Sequence, residues 1–202
     1  MGNTADELVD FAAARQAMID SQLRTSGVSA DWVLARMAAV PREAFVPPEL
    51  RAAAYTDRAI RVDAHASLAS PLFYGMLLQE ARPVAGDRAL IVSAAPGYLS
   101  ALLEPLVAET ATLAPAEARN GAGDGAEGRF TLLLIDGAAE HVPTALTVAL
   151  APEGRAVGGI VVNAVQRLAY GRIAGGALVF QPLMEMGIPR LVDLDKPKEW
   201  RF

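Results

Sequence analysis

Between Arg88 and Ser100 the chain reads RALIVSAAPGYLS, and few folds accept that succession of residues. Ala89 to Val92 is a short apolar run, Ser93 to Gly97 are small residues ending in glycine, and Leu99 to Leu103 has helical spacing. The stretch predicts a strand, a tight turn and the start of a helix. In an α/β domain such a turn lays backbone N–H groups and the positive end of a helix against a ligand, and glycines permit the close approach. Here Ser93, Ala95 and Pro96 stand where a cradling loop favours glycine, so the architecture of a ligand site carries an altered lining.

The remaining composition narrows the function classes. At 202 residues and 52% hydrophobic content the chain can bury a core in one domain with a modest appendage. A net charge of −5 argues against a surface that tracks phosphates, so no nucleic-acid partner is expected. With no cysteine and only 2 histidines, His65 and His141, far apart in sequence, neither thiolate chemistry nor a metal site is expected. Met1 to Glu7 lacks the basic and apolar regions of a secretion signal, and the apolar stretches are broken by Pro96, Gly97, Glu104 and Pro105. A cytoplasmic protein without a membrane partner is the expectation.

Read in order, Leu8, Phe11, Ala12, Met18, Ile19 and Leu23 predict an amphipathic helix over Asp6 to Arg24, with Gly27 as its C-cap. Ser29 is the expected N-cap of a second helix, with Val33, Leu34 and Met37 on one face, that Pro41 ends. Pro41 to Pro48 is a stiff connector whose Phe45 and Val46 plug the core, Glu49 to Tyr55 one or two helical turns, and Arg58 to Ala69 an extended loop. Ser70-Pro71 is an N-cap with proline at the first helical position, opening a helix to about Ala81. Strands are expected at Thr110 to Leu113, Phe130 to Ile135 and Ala156 to Asn163, with a helix over Val142 to Leu150 and a turn at Pro152 to Arg155. Gly175-Gly176 between two strand-like runs predicts a closing β-hairpin.

This order of elements, with Arg15, Met18, Gln22-Leu23-Arg24, Gly27-Val28, Asp31, Val33-Leu34, Val40-Pro41-Arg42-Glu43, Phe45-Val46-Pro47 and Ala54-Tyr55-x-Asp57, resembles the protein-L-isoaspartate O-methyltransferase family. The closing hairpin and the tail Pro197 to Phe202 resemble its bacterial branch. The resemblance implies an α/β fold: an S-adenosylmethionine-dependent, Rossmann-like methyltransferase sheet with an antiparallel C-terminal hairpin. Residues 1–70 would form a helical N-terminal extension with a substrate-side loop, and 71–202 the methyltransferase-like domain. Between Pro115 and Phe130 there is no room for a helix of about 11 residues plus a strand of about 5, so one central helix–strand unit is expected to be missing. The sheet edge thereby bared is a place for a homodimer to form.

What the resemblance implies for the site must be carried over residue by residue. The family's Thr-Ile-Ser-x-Pro segment falls on Ser67-Leu68-Ala69-Ser70-Pro71, so the Ser implicated in catalysis becomes Ala69. Ser67 and Ser70 are the remaining catalytic candidates, Ser70 with the competing role of helix cap. Of the cofactor loop Gly-x-Gly-x-Gly-Tyr only Gly97 and Tyr98 survive, and the acidic residue of the preceding strand is Ile91. The carboxylate that would take both ribose hydroxyls falls on Ala114, with Glu117 past the turn. Gly123-Asp124-Gly125 matches the tripeptide whose Asp124 would face the adenine, or is only a flexible loop. Asp136, ending the buried strand, lines the methyl-transfer cleft or caps the turn into the next helix. Asp57, Ile60, Arg61 and Val62 make up the substrate side; Asp57 and Arg61 contact a substrate carboxylate, or the arginines are solvated loop charges.

The implied activity is methyl transfer from S-adenosylmethionine to isoaspartyl carboxylates of damaged proteins. The alternative is an inactive relative that keeps the fold as a binding or oligomerisation module.

Overall fold

The computed structural model describes residues 10–95, 97–123 and 125–196; Asp124, Pro96 and the tail from Pro197 lie outside them. Helix α1, Phe11–Met18, begins at Asp10, whose carboxylate accepts the N–H of Ala13, and runs on through one π turn, Ile19–Leu23, and a 3₁₀ turn, Arg24–Ser26. Gly27 ends it at φ 98°, a conformation that costs a residue bearing Cβ about 1 kcal/mol or more. Helix α2, Asp31–Ala39, buries Val33, Leu34 and Met37, the expected face. Its N-cap is Ala30, not Ser29. The N–H groups of both Ser29 and Ala30 donate to Oε1 of Gln79, at 2.9 and 3.0 Å, so a distant side chain performs the capping.

Two 3₁₀ segments follow, Arg42–Phe45 and Pro48–Ala53. The expected extended loop contains a small hairpin instead: β1, Ile60–Arg61, pairs antiparallel with β2, Ser67–Leu68. Its turn is built by Asp63, whose Oδ1 accepts the N–H groups of His65 and Ala66 at 2.6 and 2.7 Å, local chemistry that hydrophobic periodicity does not report. Helix α3, Pro71–Ala81, is capped by Ser70, which accepts the N–H of Phe73 at 3.3 Å. It is apolar nearly all round and passes through the core between the N-terminal helices and the sheet.

The remaining elements are β3, Arg88–Ser93; α4, Tyr98–Leu103; β4, Glu109–Leu113; α5, Pro115–Ala118; β5, Phe130–Ala139; α6, Thr144–Ala149; β6, Leu150–Val162; β7, Val165–Ala174; and β8, Ala177–Glu185. They form a six-stranded sheet in the order β4-β3-β5-β6-β7-β8, parallel from β4 to β6 and antiparallel thereafter. The missing unit is real among the described residues: β4 is the sheet's edge, and after it stands only the four-residue α5 and a Gly/Ala-rich loop. The closing hairpin turns on Gly175 and Gly176 at φ 59° and 79°, the two left-handed residues such a turn demands.

Two expected turns are strand irregularities. Residues 151–154 are absorbed where the β5–β6 register shifts between Phe130 and Leu132, so Pro152 to Arg155 stays within β6. Asp136 does not cap a helix: it sits inside β5, at a bulge between Ile135 and Ala138 with Gly137 at φ 144°. α6 starts later, at Thr144. The bulge admits the C-terminal segment. Ala138 donates to the carbonyl of Pro189 at 2.7 Å and accepts from the N–H of Leu191 at 2.9 Å, and Leu191 packs directly over Gly137.

Candidate active site

Two depressions lie beside the hairpin β1–β2, the first taking Ser67 from it and the second Val62 to Ala66. One is a groove of about 560 Å³ lined by Asp57, Ser67, Ser70, Leu72, Gln166 and residues Met186 to Pro189. The other is a cleft over the ends of β3 and β4, described by two adjoining hollows of about 400 and 410 Å³ that share Asp63 and Ala94. Its walls are Phe45 to Pro47 and Val62 on one side, and Ala114 to Ala116 with Asp193 on the other.

Beside the segments that carry Asp57 and Ser70 lies a buried cation. Arg42 is wholly buried and donates from Nε to the carbonyl of Ala54 at 2.7 Å and from Nη2 to the carbonyl of Ala69, so it fastens the two segments that carry Asp57 and Ser70. Its guanidinium lies 5.5 Å from the ring centroid of Tyr74 and 5.2 Å from that of Tyr98, and the two rings meet edge to face. Burial pushes the Arg42 pKa down from its ordinary value, against the opposing pull of the two tyrosines and Asp136. Asp136 completes the cluster. Burial raises its carboxyl to about 6, although the hydroxyls of Ser93 and Tyr74 and the charge of Arg42 pull it down. Three buried polar atoms in this one cluster, Nη1 of Arg42, the hydroxyl of Tyr98 and Oδ1 of Asp136, meet no hydrogen-bond partner among the described residues.

A second network holds the N-terminal motif together. Arg15 bridges Glu43 at 3.0 Å, donates to the hydroxyl of Tyr55 at 2.7 Å and to the carbonyl of Ala38 at 3.0 Å, and Tyr55 also donates to Glu43. Gln22 reaches the carbonyl of Tyr55 at 3.0 Å. Burial and the adjacent Glu43 push the Tyr55 phenol up to about 12, so it stays a neutral donor. One arginine of α1 thus ties together the end of α2, the 3₁₀ segment that carries Glu43, and Tyr55.

Of the residues singled out from the sequence, Asp57, Ser67 and Ser70 are brought together in the groove. The Ser70 hydroxyl is engaged in capping α3. Ile60 is buried in the core, Arg61 is exposed and lines neither depression, and Val62 lines the cleft over β3 and β4. Gly97 caps α4 at φ 57°, and Tyr98 turns inward under Arg42, away from the cleft. Gly123, beside Asp124, lines a separate hollow against α6. The sequence reading missed Arg42 as the centre of the site, although a charged residue inside the apolar connector Val40 to Pro47 is a visible signal. It also missed Asp193, which no local pattern could have placed.

The cleft suits an adenosyl ligand in size, since small-molecule sites run from about 300 to 1,000 Å³. Its main-chain donors are reduced: the N–H of Ala95 is already accepted by the Ser93 hydroxyl at 3.0 Å. Ile91 is buried in the sheet, and the end of β4 offers Ala114. Glu117 folds back to accept the N–H of Ala114 at 3.0 Å and does not supply a carboxylate to the cleft. Among the described residues, Asp193 is a carboxylate that lines the cleft and makes no hydrogen bond or ion pair. Among the described residues no three His, Asp or Glu side chains gather as metal ligands, and no helix is long and apolar enough to cross a membrane.

An open α/β sheet with a cleft at the carboxyl ends of its parallel strands and a reversed closing pair defines a methyltransferase-type α/β protein. Residues 13–120 match the family described as Protein-L-isoaspartate(D-aspartate) O-methyltransferase (PCMT). A protein-L-isoaspartate O-methyltransferase of Roseiflexus castenholzii is 31% identical over 171 residues, covering 74% of this chain and 78% of its own length. One from Gloeobacter violaceus is 32% identical over 162 residues, covering 69% and 79%. In fold the chain is similar to a beta-aspartate methyltransferase (PCMT) from Plasmodium falciparum in complex with S-adenosyl-L-homocysteine, with a TM-score of 0.67, 15% identity, and coverage of 88% of this chain and 97% of that one. The chain belongs to the protein-L-isoaspartate O-methyltransferase family.

Proposed function

We propose that this chain transfers a methyl group from S-adenosylmethionine, held in the cleft over β3 and β4, to an isoaspartyl carboxylate presented in the groove of Asp57, Ser67 and Ser70. The observation that carries this reading is a cleft at the carboxyl ends of β3 and β4, with a groove that gathers Asp57, Ser67 and Ser70 beside the same β1–β2 hairpin. Bound S-adenosylmethionine supplies an electrophilic methyl group on sulfur. The carboxylate is already a nucleophile at neutral pH, so no general base is needed and the loss of a hydroxyl at Ala69 is tolerable. The chain's own contribution is positioning, and proximity carries much of the rate. Arg42 sets the spacing of the groove by holding the carbonyls of Ala54 and Ala69. Ser67, at the groove, is the hydroxyl in reach of a bound carboxylate; Ser70 is the second candidate, at the cost of its cap.

A second reading, a binding module that keeps the peptide groove without methyl transfer, is favoured by the Ser93 hydroxyl standing on the N–H of Ala95. Calorimetry with S-adenosylhomocysteine, followed by label transfer from S-adenosylmethionine to an isoaspartyl peptide, separates the two. Saturable micromolar binding with peptide methylation supports the first; peptide binding without cofactor heat at millimolar concentration supports the second. Self-association belongs to the same proposal. The outer edge of β4 pairs with no strand among the described residues, and its one charge, Glu109, is held by Arg88 and Arg129, leaving Thr110 to Leu113 open to an antiparallel copy.

A further inference from the structure

We infer that Asp193 is the carboxylate that receives the ribose hydroxyls of the adenosyl cofactor in this chain. The inference rests on the reading of the cleft as a cofactor site, and it answers a specific deficit. In α/β nucleotide sites an acidic side chain accepts the ribose hydroxyls. Here the end of β4 carries Ala114, and Glu117 is folded back on the Ala114 N–H. Asp63 also lines the cleft, but its Oδ1 is spent on the N–H groups of His65 and Ala66, which hold its carboxyl below the usual range.

Asp193 reaches the cleft by another route. With no helix–strand unit beyond β4, the C-terminal segment packs against α5 and makes the wall on that side, Leu194 sharing one apolar cluster with Ala118 and Ala139. The segment is anchored on both sides of Asp193. Leu191 packs over Gly137 and bonds Ala138, and the carbonyl of Leu194 accepts the N–H of His141 at 2.9 Å. Arg190 adds ion pairs to Glu140 at 3.3 Å and Asp195 at 2.7 Å. The backbone of Asp193 is therefore fixed, while its carboxylate makes no hydrogen bond or ion pair with the described residues, and Asp193 lines the same hollow as Ala94 and Ala114 to Ala116. An ionised carboxylate has two oxygens, each able to accept one of a pair of adjacent hydroxyls.

The test is calorimetric titration of the intact chain and of Asp193→Ala with S-adenosylhomocysteine and with its 2′-deoxy analogue, using Glu117→Gln as a control for the loss of a negative charge near the cleft. Expected is a loss of at least tenfold in affinity in Asp193→Ala, near-normal affinity in Glu117→Gln, and a penalty for the deoxy analogue that is present in the parent and absent in Asp193→Ala. If the parent binds S-adenosylhomocysteine and Asp193→Ala binds it equally well, the assignment of Asp193 is wrong while the cofactor cleft stands. If the parent gives no saturable binding at millimolar concentration, both fall together.

Discussion

Ser93 donates its hydroxyl to Oδ2 of Asp136 across 2.8 Å while the same oxygen accepts the N–H of Ala95 at 3.0 Å. One side chain thus ties the loop after β3 to the bulge in β5 and closes the loop on itself. Replacing Ser93 by Gly removes both bonds and frees the Ala95 N–H for a ligand. A neutral hydrogen bond contributes about 1 kcal/mol, so affinity for S-adenosylhomocysteine is expected to rise about fivefold while thermal stability falls. Calorimetry and a melting curve on the same sample check it; unchanged affinity with lowered Tm means the N–H does not face the ligand.

Asp136 itself works against the fold at neutral pH. Its carboxyl sits at about 6 in the folded chain against 3.8 ordinarily, so the folded state takes up the proton first. Stability rises as pH falls from about 6 toward 3.8, and at neutral pH the buried charge costs on the order of 3 kcal/mol. Asp136→Asn keeps an acceptor for Ser93 and is expected to melt several degrees higher at pH 7.5, with the advantage gone by about pH 4. A gain of the same size at both pH values would place its origin elsewhere.

The opposite sign holds at the other end of the sheet. Arg155 pairs bidentately with Asp87, at 2.6 and 3.1 Å, and donates to the carbonyls of Ala81 and Arg82 at 2.6 and 2.9 Å, clamping the end of α3 to β3 and β6. Burial would raise the Asp87 carboxyl, but Arg155, the Val84 N–H and Thr131 outweigh it and hold it below the ordinary value. Its stabilisation is present above about 3.8 and is lost as pH falls further. Removing one partner of such a pair costs about 3–5 kcal/mol, so Asp87→Ala is expected to lower the urea midpoint markedly at pH 7 and by less at pH 3. Equal losses at both pH values would assign the effect to packing.

How far the sequence carries these features depends on distance along the chain. Ser70-Pro71, Gly27 and Gly175-Gly176 act within a few residues, so their roles are legible directly, and the apolar run from Phe130 identifies a strand buried on both faces. The cap of α2 is not legible, because Gln79 supplies it from about fifty residues away. Asp136 reads as the end of a strand because the bulge that keeps it inside β5 depends on Gly158 and Gly159 in the next strand, where any Cβ would strike the β5 backbone. The cleft over β3 and β4 follows from the strand–turn–helix order, but Asp193 in its far wall comes from a C-terminal segment that packs against α5, where no helix–strand unit stands among the described residues.

Gly75 of α3 packs directly against Val28 and Met37 of the N-terminal segment. A Cβ there would lie 2.9 Å from Cγ2 of Val28 and 3.4 Å from Sδ of Met37, both wholly buried. In a helix interior Ala is favoured over Gly by about 1 kcal/mol, whereas overpacking a closed core costs about 1–3 kcal/mol. Met37 is flexible and can give way; Val28 is stiff at χ1 and stands just after the left-handed Gly27, so it cannot. Overpacking wins, and Gly75→Ala is expected to lose about 1 kcal/mol net, a fall of a few degrees in Tm for a chain of this size. Gly86→Ala, with no heavy atom within 4 Å of the added Cβ, is the control and should change stability by less than about 0.5 kcal/mol. If Gly75→Ala melts higher than the parent, Val28 yields more readily than its burial implies, and the contact between α3 and the N-terminal helices is looser than the geometry requires.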